Sequence, residues 1–385
     1  LQGMGTTTVT RIRETCVNPR VDPSGYSLGS TVFIDLNNNG LQDPTETGIA
    51  GVTMQLWEVV GVKDPTPGSP AGADGADILV PTGSDGTLAT PNDALPYVSD
   101  AAGNYFFTGL SARSYYVVIP GTAFGAGAAL ELLPTSSSPA VTDTNDNRED
   151  GDDNGVQMGG SGTMVMSPAI ALGPGLVEPT GALENYQGGT QDDGPLDAQG
   201  DMTVDFGFFA PVSVGDTTWV DLNSNGRQDA LEPPLPGVKV TLFNAATNTM
   251  VTSDANGNTI TGMTTTNAMG FYEFTNLSPG NYYVVFDIST AMNPEYYVLT
   301  TANQGPDTDD SDADPVTGQT APTGFLPSGT RNPDMDAGVV CQVGANITVM
   351  QVTTCSTRKI EISALGASIT PNTLNGVWST SGTGM

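Results

Sequence analysis

The chain has 385 residues, and its 42 acidic residues outnumber its 11 basic residues, which gives a formal net charge of −31. That charge repels nucleic acid and anionic lipid, so neither is expected as a partner. The sequence contains no His, which excludes Ser–His–Asp and Cys–His catalysis and every imidazole metal site. No apolar run reaches about 18 residues, so no membrane insertion is predicted. The surplus of carboxylates indicates a solvated acidic surface, a high-salt environment or bound cations.

An internal repeat organises the chain. Residues 28–57 read LGSTVFIDLNNNGLQDPTETGIAGVTMQLW and align without gaps with residues 214–243, VGDTTWVDLNSNGRQDALEPPLPGVKVTLF. Self-similarity over this length indicates tandem modules. Two further pairs of segments recur in the same order, namely GNYFFTGLSARSYYVV at 103–118 with GFYEFTNLSPGNYYVV at 270–285, and VDFGFF at 204–209 with MDAGVV at 335–340.

The repeat sets the predicted domain boundaries. Module one is placed at 27–211 and module two at 212–340. Module one is the longer because of predicted loop insertions at 61–97 and at about 121–200, which are rich in Gly, Pro and Asp. Residues 1–26 are expected to be a linker or the tail of a preceding domain. Residues 341–385 are expected to begin a further, partial Ig-like β module.

Apolar and polar residues alternate within the repeated segments. Val52, Met54 and Leu56 are expected on one side of a strand, and Thr53 and Gln55 on the other. This period of two, together with 48 Gly and 28 Pro, predicts an all-β chain of half-buried antiparallel strands in which two sheets enclose each core. Four further pairs are expected on the core side: Tyr105 with Phe107, Tyr116 with Val118, Tyr272 with Phe274, and Tyr283 with Val285.

The first repeated segment has the spacing of a calcium loop. Calcium prefers hard oxygen ligands, which a twelve-residue loop supplies from positions 1, 3, 5, 7, 9 and 12, with Gly at position 6 for a sharp bend. Gly40 and Gly226 occupy position 6 of loop one (35–46) and loop two (221–232). The predicted ligands, with a backbone carbonyl at position 7, are Asp35, Asn37, Asn39, Leu41, Asp43 and Glu46 in loop one and Asp221, Asn223, Asn225, Arg227, Asp229 and Glu232 in loop two.

The flanks of these loops differ from those of helical EF-hands. Residues 31–34 and 217–220 are β-branched or aromatic, and Pro44, Pro233 and Pro234 interrupt the exits. The loops are therefore predicted on a β scaffold, where bound calcium is structural rather than a trigger for an opening motion.

Acidic residues also cluster late in each module. Such runs are usually solvated loops, yet their recurrence at equivalent places favours second calcium sites, and both interpretations stay open. The clusters are Asp143, Asp146, Glu149, Asp150, Asp152 and Asp153 in module one and Asp307, Asp309, Asp310, Asp312 and Asp314 in module two.

The chain resembles the SdrD B-like domains of bacterial serine–aspartate-repeat surface adhesins. The resemblance covers about 27–340 and rests on GSTVFIDLNNNGLQDPTETGIAGVTMQLW, GDTTWVDLNSNGRQDALEPPLPGVKVTLF, GFYEFTNLSPGNYYVVF and DTDDSDADPVTG. It implies prealbumin-like (Cna B-like) Greek-key β-sandwiches that bind Ca²⁺ through the two loops. It also implies tandem arrays that hold a ligand-binding tip away from the cell. The segment NGVWSTSGTGM near the end resembles Ig-like bacterial surface repeats.

The function that this resemblance implies is a calcium-stabilised stalk or spacer of a secreted bacterial cell-surface adhesin or extracellular filament. In the alternative, module one is an adhesive unit whose insertions contact a glycan, a matrix protein or a sister subunit. The expected partners are neighbouring modules of the same longer chain, a homo-oligomer or filament, and a host or surface ligand. No acid is chemically distinct from the others, so no enzyme is expected. Cys341 and Cys355 could close one loop, with Cys16 free or paired elsewhere.

Overall fold

The structure is a computed structural model, and it describes residues 25–60, 77–81, 97–136, 151–157, 162–173 and 200–342. These residues form β-strands and three short 3-10 turns, Gly121–Phe124, Ile288–Thr290 and Pro294–Tyr296. The strands are β1 (Tyr26–Ile34), β2 (Thr53–Glu58), β3 (Ile78–Val80), β4 (Tyr97–Val98), β5 (Asn104–Leu110), β6 (Ser114–Ile119), β7 (Val156–Gln157), β8 (Val165–Met166), β9 (Ile170–Ala171), β10 (Gly200–Asp201), β11 (Phe206–Phe208), β12 (Val212–Val220), β13 (Lys239–Asn244), β14 (Thr249–Met250), β15 (Met263–Thr265), β16 (Phe271–Leu277), β17 (Gly280–Asp287), β18 (Tyr297–Leu299), β19 (Phe325–Leu326), β20 (Arg331–Asn332) and β21 (Ala337–Cys341).

Strands β1–β11 form the first unit, which has two sheets. In one sheet β1 pairs antiparallel with β5 and parallel with both β10 and β11. The other sheet is built on the antiparallel pair β2–β6, with β3 and β4 on β2 and with β8 and β9 on β6. The first unit encloses its own hydrophobic core, to which both sheets contribute.

Strands β12–β21 form the second unit on the same plan. Here β12 pairs antiparallel with β16 and parallel with β20 and β21, while β13 pairs with β14, β15 and β17 in the other sheet. Even a register shift recurs, between Tyr26 and Leu28 in β1 and between Val212 and Val214 in β12. The prediction of an all-β chain of sandwiches is confirmed.

The period of two is visible in the packing of the second strand of each unit. Val52, Met54 and Leu56 are buried in the first core, while Thr53 and Gln55 are only half-buried. Their counterparts Val238, Val240 and Leu242 are fully buried in the second core. Alternating side chains on opposite faces of a strand produce this pattern.

The predicted core side of β6 and β17 is wrong. The first core contains Tyr115, Val117 and Ile119, not Tyr116 and Val118, and the second contains Tyr282, Val284 and Phe286. Tyr116 and Tyr283 lie on the outer face, where they stack on Trp57 and Phe243 with ring centroids 6.4 Å and 5.0 Å apart. Both faces of these strands are apolar, so alternation alone does not show which face meets the other sheet.

Each unit contains an Asp-x-Gly segment, at 205–207 in the first and 336–338 in the second, whose glycine has a packing role. A Cβ on Gly207 would lie 2.8 Å from Cζ of Phe33, and a Cβ on Gly338 would lie 2.9 Å from Cζ2 of Trp219. Phe33 and Trp219 occupy equivalent positions in β1 and β12 and are both fully buried. The glycines therefore leave room for a large ring across the neighbouring strand.

Parallel pairing places the ends of β1 and β11, and those of β12 and β21, beside the two predicted calcium loops. Because β11 runs parallel to β1, and β21 parallel to β12, each pair of strands ends at the same edge of its sheet. Loop one follows β1 directly and loop two follows β12 directly. Each loop therefore lies beside the point where the chain leaves that unit.

Three predictions fall partly or wholly outside the described residues. These are the partial Ig-like module at 341–385, the segment 1–26, and the loop closed by Cys341 and Cys355 with Cys16 free or paired elsewhere. Cys16 and Cys355 lie outside the described residues, and Cys341 is exposed. The module boundaries stay predictions. In the described part of the chain, no helix is long and apolar enough to cross a membrane.

Candidate metal centre

Loop one wraps its backbone around the carboxylate of Asp35, which is fully buried. Oδ1 of Asp35 accepts hydrogen bonds from the backbone N–H groups of Asn37 (3.1 Å) and Asn39 (3.2 Å), and Oδ2 accepts one from Gly40 (2.8 Å). Gly40 has φ of 75°, a left-handed conformation that favours glycine. The sharp bend predicted at position 6 is present.

The other predicted side chains of loop one converge on the same centre. Oδ2 of Asp43 accepts hydrogen bonds from the Nδ2 groups of Asn37 (2.6 Å) and Asn39 (3.1 Å). The carboxylate of Glu46 accepts the backbone N–H of Leu36 (2.6 Å) and that of Asp43 (2.9 Å). The five predicted side-chain ligands of loop one are thus brought together by one hydrogen-bond network.

Loop two reproduces this network. Asp221 accepts the N–H of Gly226 (2.8 Å), and Asp229 accepts the amides of Asn223 (2.7 Å) and Asn225 (2.8 Å). The Glu232 carboxylate accepts N–H groups at positions 2 and 9, at 2.8 Å and 3.0 Å. Gly226 has φ of 76°, within a degree of Gly40. Two loops that differ in sequence therefore fold into one geometry.

Position 7 of each loop joins the loop to the acidic run later in the same unit. Leu41 forms a β-bridge with Asp152, and Arg227 forms one with Asp310. The backbone N–H groups of Asp153 and Ser311 donate to the carbonyls at position 6, at 2.8 Å and 3.0 Å. Each loop and the acidic run of its unit therefore lie side by side, a contact that the sequence did not predict.

The donor set of loop one suits a hard divalent cation. Burial, together with smaller contributions from the charges of Asp35 and Asp43, raises the pKa of Glu46 to about 7. Burial also raises the pKa of Asp35. Loop one contains no Lys or Arg to balance these carboxylates. Rotation of each Asn amide about χ2 can turn its Oδ1 towards the centre of the loop. Every side-chain ligand atom of loop one is then an oxygen, which is the type of ligand that calcium takes.

The second unit holds a further carboxylate cluster beside loop two. Ligand oxygens of Asp307, Asp310 and Asp312 all lie within 4.8 Å of one another. The backbone N–H of Asp336 donates to Oδ2 of Asp312 (2.8 Å), and Oδ1 of Asp336 accepts the N–H of Thr217 (3.0 Å). The cluster thus continues into the Asp-x-Gly segment. The negative charges of Asp216 and Asp334 also act on it, because they raise the pKa values of Asp336 and Asp312 respectively.

The first unit has neutral residues at three of these positions. The buried Tyr105 and Tyr272 donate to the carbonyls of Val204 and Met335, which aligns the two units. In that alignment Ser30, Asn154 and Thr203 stand where the second unit has Asp216, Asp312 and Asp334. Among the described residues, these three positions therefore carry carboxylates only in the second unit, where Arg331 lies near Asp216 and Asp334.

The first unit instead buries Asp153 beside loop one. Its Oδ1 accepts the N–H groups of Gly155 (2.9 Å) and Gly207 (3.1 Å). Burial raises the pKa of Asp153 well above its usual range, and the charge of Asp35 adds to this. Of the acidic residues predicted for this cluster, Asp152 and Asp153 are described, and the others lie outside the described residues.

The carboxylate cluster predicts that the calcium-free second unit loses stability as the pH rises. Burial raises the pKa of Asp216 to about 6, of Asp312 to about 7 and of Asp336 to about 9, with Asp216 adding to the shift of Asp336. Between its unfolded and folded pKa each group holds a proton only in the folded state. The free energy of unfolding therefore falls with rising pH, from about 4 up to about 9, with Asp336 alone contributing above about 7.

Urea unfolding in a calcium chelator at stepped pH measures this dependence. Asp336→Asn should flatten the slope above pH 7 and reduce the slope between pH 4 and pH 6 by about a third, because one of three contributing carboxyls is removed. A wild-type unfolding free energy that is flat or rises between pH 6 and pH 9 would show that these carboxyls are not protonated in the folded state.

The sequence model of the SdrD B-like domain matches residues 26–67 and 212–339. The predicted resemblance is confirmed. SdrD B-like domains are structural domains rather than enzymes, which agrees with the prediction of a non-enzymatic chain.

Two staphylococcal proteins with similar sequences are both named serine-aspartate repeat-containing proteins. Serine-aspartate repeat-containing protein F of Staphylococcus epidermidis is 30% identical over 311 residues, which are 80% of this chain and 13% of that protein. Serine-aspartate repeat-containing protein D of Staphylococcus aureus strain MW2 is 29% identical over 291 residues, 75% of this chain and 15% of that protein. The chain therefore spans a small part of the length of these relatives.

Among solved structures, the minor pilin of Streptococcus agalactiae matches 84% of this chain and 98% of its own, with 10% identity and a TM-score of 0.26. A likeness at this TM-score supports no conclusion about the chain.

Proposed function

We propose that the chain is a calcium-stabilised stalk or spacer segment of a secreted bacterial cell-surface adhesin. Its modules at 27–211 and 212–340 would act in series, with neighbouring modules of a longer chain as their partners. The observation that carries this proposal is the recurrence, in both units, of one loop geometry that gathers oxygen ligands at positions 1, 3, 5, 9 and 12.

Calcium would act on the folded state through charge. Two carboxylates about 4 Å apart repel by about 4 kcal/mol at an effective dielectric constant near 20, and a cation between them reverses the sign of that term. A site with free calcium at about 100 times its dissociation constant adds about 2.7 kcal/mol to the free energy of unfolding. That is a large share of the stability of an ordinary domain.

Loop one would hold the ion through Asp35, Asn37, Asn39, Asp43, Glu46 and the Leu41 carbonyl. Loop two would use Asp221, Asn223, Asn225, Asp229, Glu232 and the Arg227 carbonyl. The carboxylate cluster beside loop two supports a further calcium site in the second unit, with Asp307, Asp310 and Asp312 as its core. Of these three residues, Asp312 has a neutral counterpart in the first unit, Asn154, whereas Asp310 corresponds to the acidic Asp152.

The stalk is favoured over the adhesive alternative by what the described residues contain. Of the 61–97 insertion they include β3 and β4, which pair with β2 as β14 and β15 pair with β13. These strands belong to the shared sandwich plan. The described residues contain no observation that favours a host ligand, a filament or an oligomer, which stay predictions.

Limited proteolysis tests the stalk directly. In calcium, both units should resist a protease that cuts at acidic residues, and a chelator should speed cleavage by at least tenfold for a loss of about 1.4 kcal/mol or more in the free energy of opening. Mass spectrometry of the fragments reports where cleavage begins. Equal cleavage rates with and without calcium would contradict the proposal.

A further inference from the structure

The connection between the two units passes directly beside loop one. Residues 209–211 join β11 to β12, and β11 ends at the same sheet edge as β1. Phe209 is fully buried, and its N–H donates to the carbonyl of Pro134 (3.1 Å), which anchors the connection in the first unit. The chain therefore enters the second unit next to the loop that follows β1.

A turn of the second unit bonds to both the connection and loop one. This turn, residues 327–330, lies between β19 and β20 and is closed by a hydrogen bond from Thr330 N–H to the Pro327 carbonyl (3.1 Å). The N–H of Ser328 donates to the carbonyl of Leu36 (2.8 Å). The Oγ of Ser328 accepts the N–H of Ala210 (2.7 Å), whose carbonyl accepts the N–H of Gly329 (2.9 Å).

Leu36 is position 2 of loop one, and its carbonyl is held in place by two predicted calcium ligands. Its own N–H donates to Oε1 of Glu46 (2.6 Å). The N–H of Asn37, which shares a peptide group with the Leu36 carbonyl, donates to Oδ1 of Asp35 (3.1 Å). A peptide group is planar and rigid, so the direction of this carbonyl follows the position of the Asp35 carboxylate, while Glu46 holds the preceding peptide group.

We propose that the metal occupancy of loop one, and not that of loop two, fixes the orientation of the second unit on the first. The inference rests on the proposed calcium binding. With calcium bound, Asp35 and Glu46 are drawn to one centre and the Leu36 carbonyl is held towards Ser328. Without calcium these carboxylates repel each other, loop one loosens, and the turn at 327–330 is released from it.

Loop two is a natural control because it has the same geometry in a different place. Leu222, its position 2, is 65% exposed, whereas Leu36 is half-buried. Loop two lies beside the end of β21, where the chain leaves the second unit. Its occupancy should stabilise the second unit without changing the joint that loop one forms.

The distance between the units can be measured in the full chain by double electron–electron resonance. Spin labels are attached at Ala112→Cys and Ala246→Cys, two exposed positions in turns of different units, after Cys16, Cys341 and Cys355 are replaced by Ser. In calcium the distance distribution should be narrow, and in a chelator the narrow component should be lost. Asp35→Asn with Glu46→Gln should lose it even in calcium, while Asp221→Asn with Glu232→Gln should keep it.

A second variant leaves the ligands of loop one untouched. Ser328→Pro removes both hydrogen bonds of Ser328, and its turn should tolerate the change. Gly329 has φ of 75° at the third position, and turns of that type favour Pro at the second. This variant should broaden the distribution in calcium while the calcium-induced rise in melting temperature persists.

Two results would contradict the proposal that loop one fixes the orientation of the units, while leaving the proposed calcium binding intact. One is a distance distribution that is equally narrow with and without calcium although the melting temperature falls in chelator. The other is equal broadening by the loop-one and loop-two variants. Failure of the proposed function looks different, because calcium would then change neither the melting temperature nor the distance.

Discussion

We expect removal of calcium to lower the melting temperature of each unit by about 5–10 °C. A site held at about 100 times its dissociation constant contributes about 2.7 kcal/mol, and in domains of this size 1 kcal/mol shifts the melting temperature by about 2–4 °C. The second unit should lose more than the first, because its further cluster of Asp307, Asp310 and Asp312 loses an ion as well. Differential scanning calorimetry in calcium and in chelator measures both transitions.

Magnesium is the control for this experiment. It demands near-ideal octahedral geometry and gives up its water reluctantly, so it should restore little of the stability that the chelator removes. Restoration by magnesium to the calcium value would indicate general charge screening instead of a calcium site. Melting temperatures that do not respond to chelation would remove the basis for assigning metal to either loop.

Glu46→Gln should destabilise the first unit by about 2.7 kcal/mol in calcium and should change its stability little in chelator. The variant removes the carboxylate at position 12, which would close the coordination sphere, so the contribution of the ion is lost. Without calcium the pKa of Glu46 is already raised to about 7, chiefly by burial, so the neutral amide resembles the form that the folded state favours. Urea unfolding with and without calcium gives the two free energies.

The first unit offers a matched control in Glu131→Gln. Glu131 is exposed and accepts the N–H of Gly127 (2.7 Å), far in sequence from loop one. This change should have a small effect of the same size in both conditions. If Glu46→Gln cost the same free energy with and without calcium, Glu46 would be a structural hydrogen-bond acceptor and not a ligand.

The repeat made much of this structure predictable. Loop spacing is a local property, and comparing two copies separates positions that a geometry requires, such as Gly40 and Gly226, from those that vary. Alternation likewise predicted the core face of β2, because polar residues lie between Val52, Met54 and Leu56. It failed for β6, where Tyr115 and Tyr116 are both large and both buried, and only the opposing sheet decides which one joins the core between the sheets.

The rest of the site depends on contacts between residues far apart in sequence. Asp216, Asp312 and Asp336 come from three segments and meet only through the parallel pairing of β12 with β21. Each has an ordinary acidic or strand-like context in the sequence. Comparing the two repeats could have shown that this cluster differs between the units, because Ser30 and Asn154 stand where the second unit has Asp216 and Asp312. The loose alignment of the acidic runs concealed that difference.

The joint between the units was also beyond reach of the sequence. The bond between Ser328 and Leu36 joins residues of different units, and the repeat compares units only with each other. Nothing local to Pro327–Thr330 distinguishes this turn from the others of the second unit.

Isothermal titration of calcium into the full chain and its loop variants tests the central claim most directly. The wild type should bind calcium with a measurable heat. Asp35→Asn with Glu46→Gln should remove one equivalent, and Asp221→Asn with Glu232→Gln should remove another, while Glu131→Gln keeps the wild-type stoichiometry. A wild-type chain that binds no calcium, or loop variants that bind the full wild-type number of ions, would contradict the account.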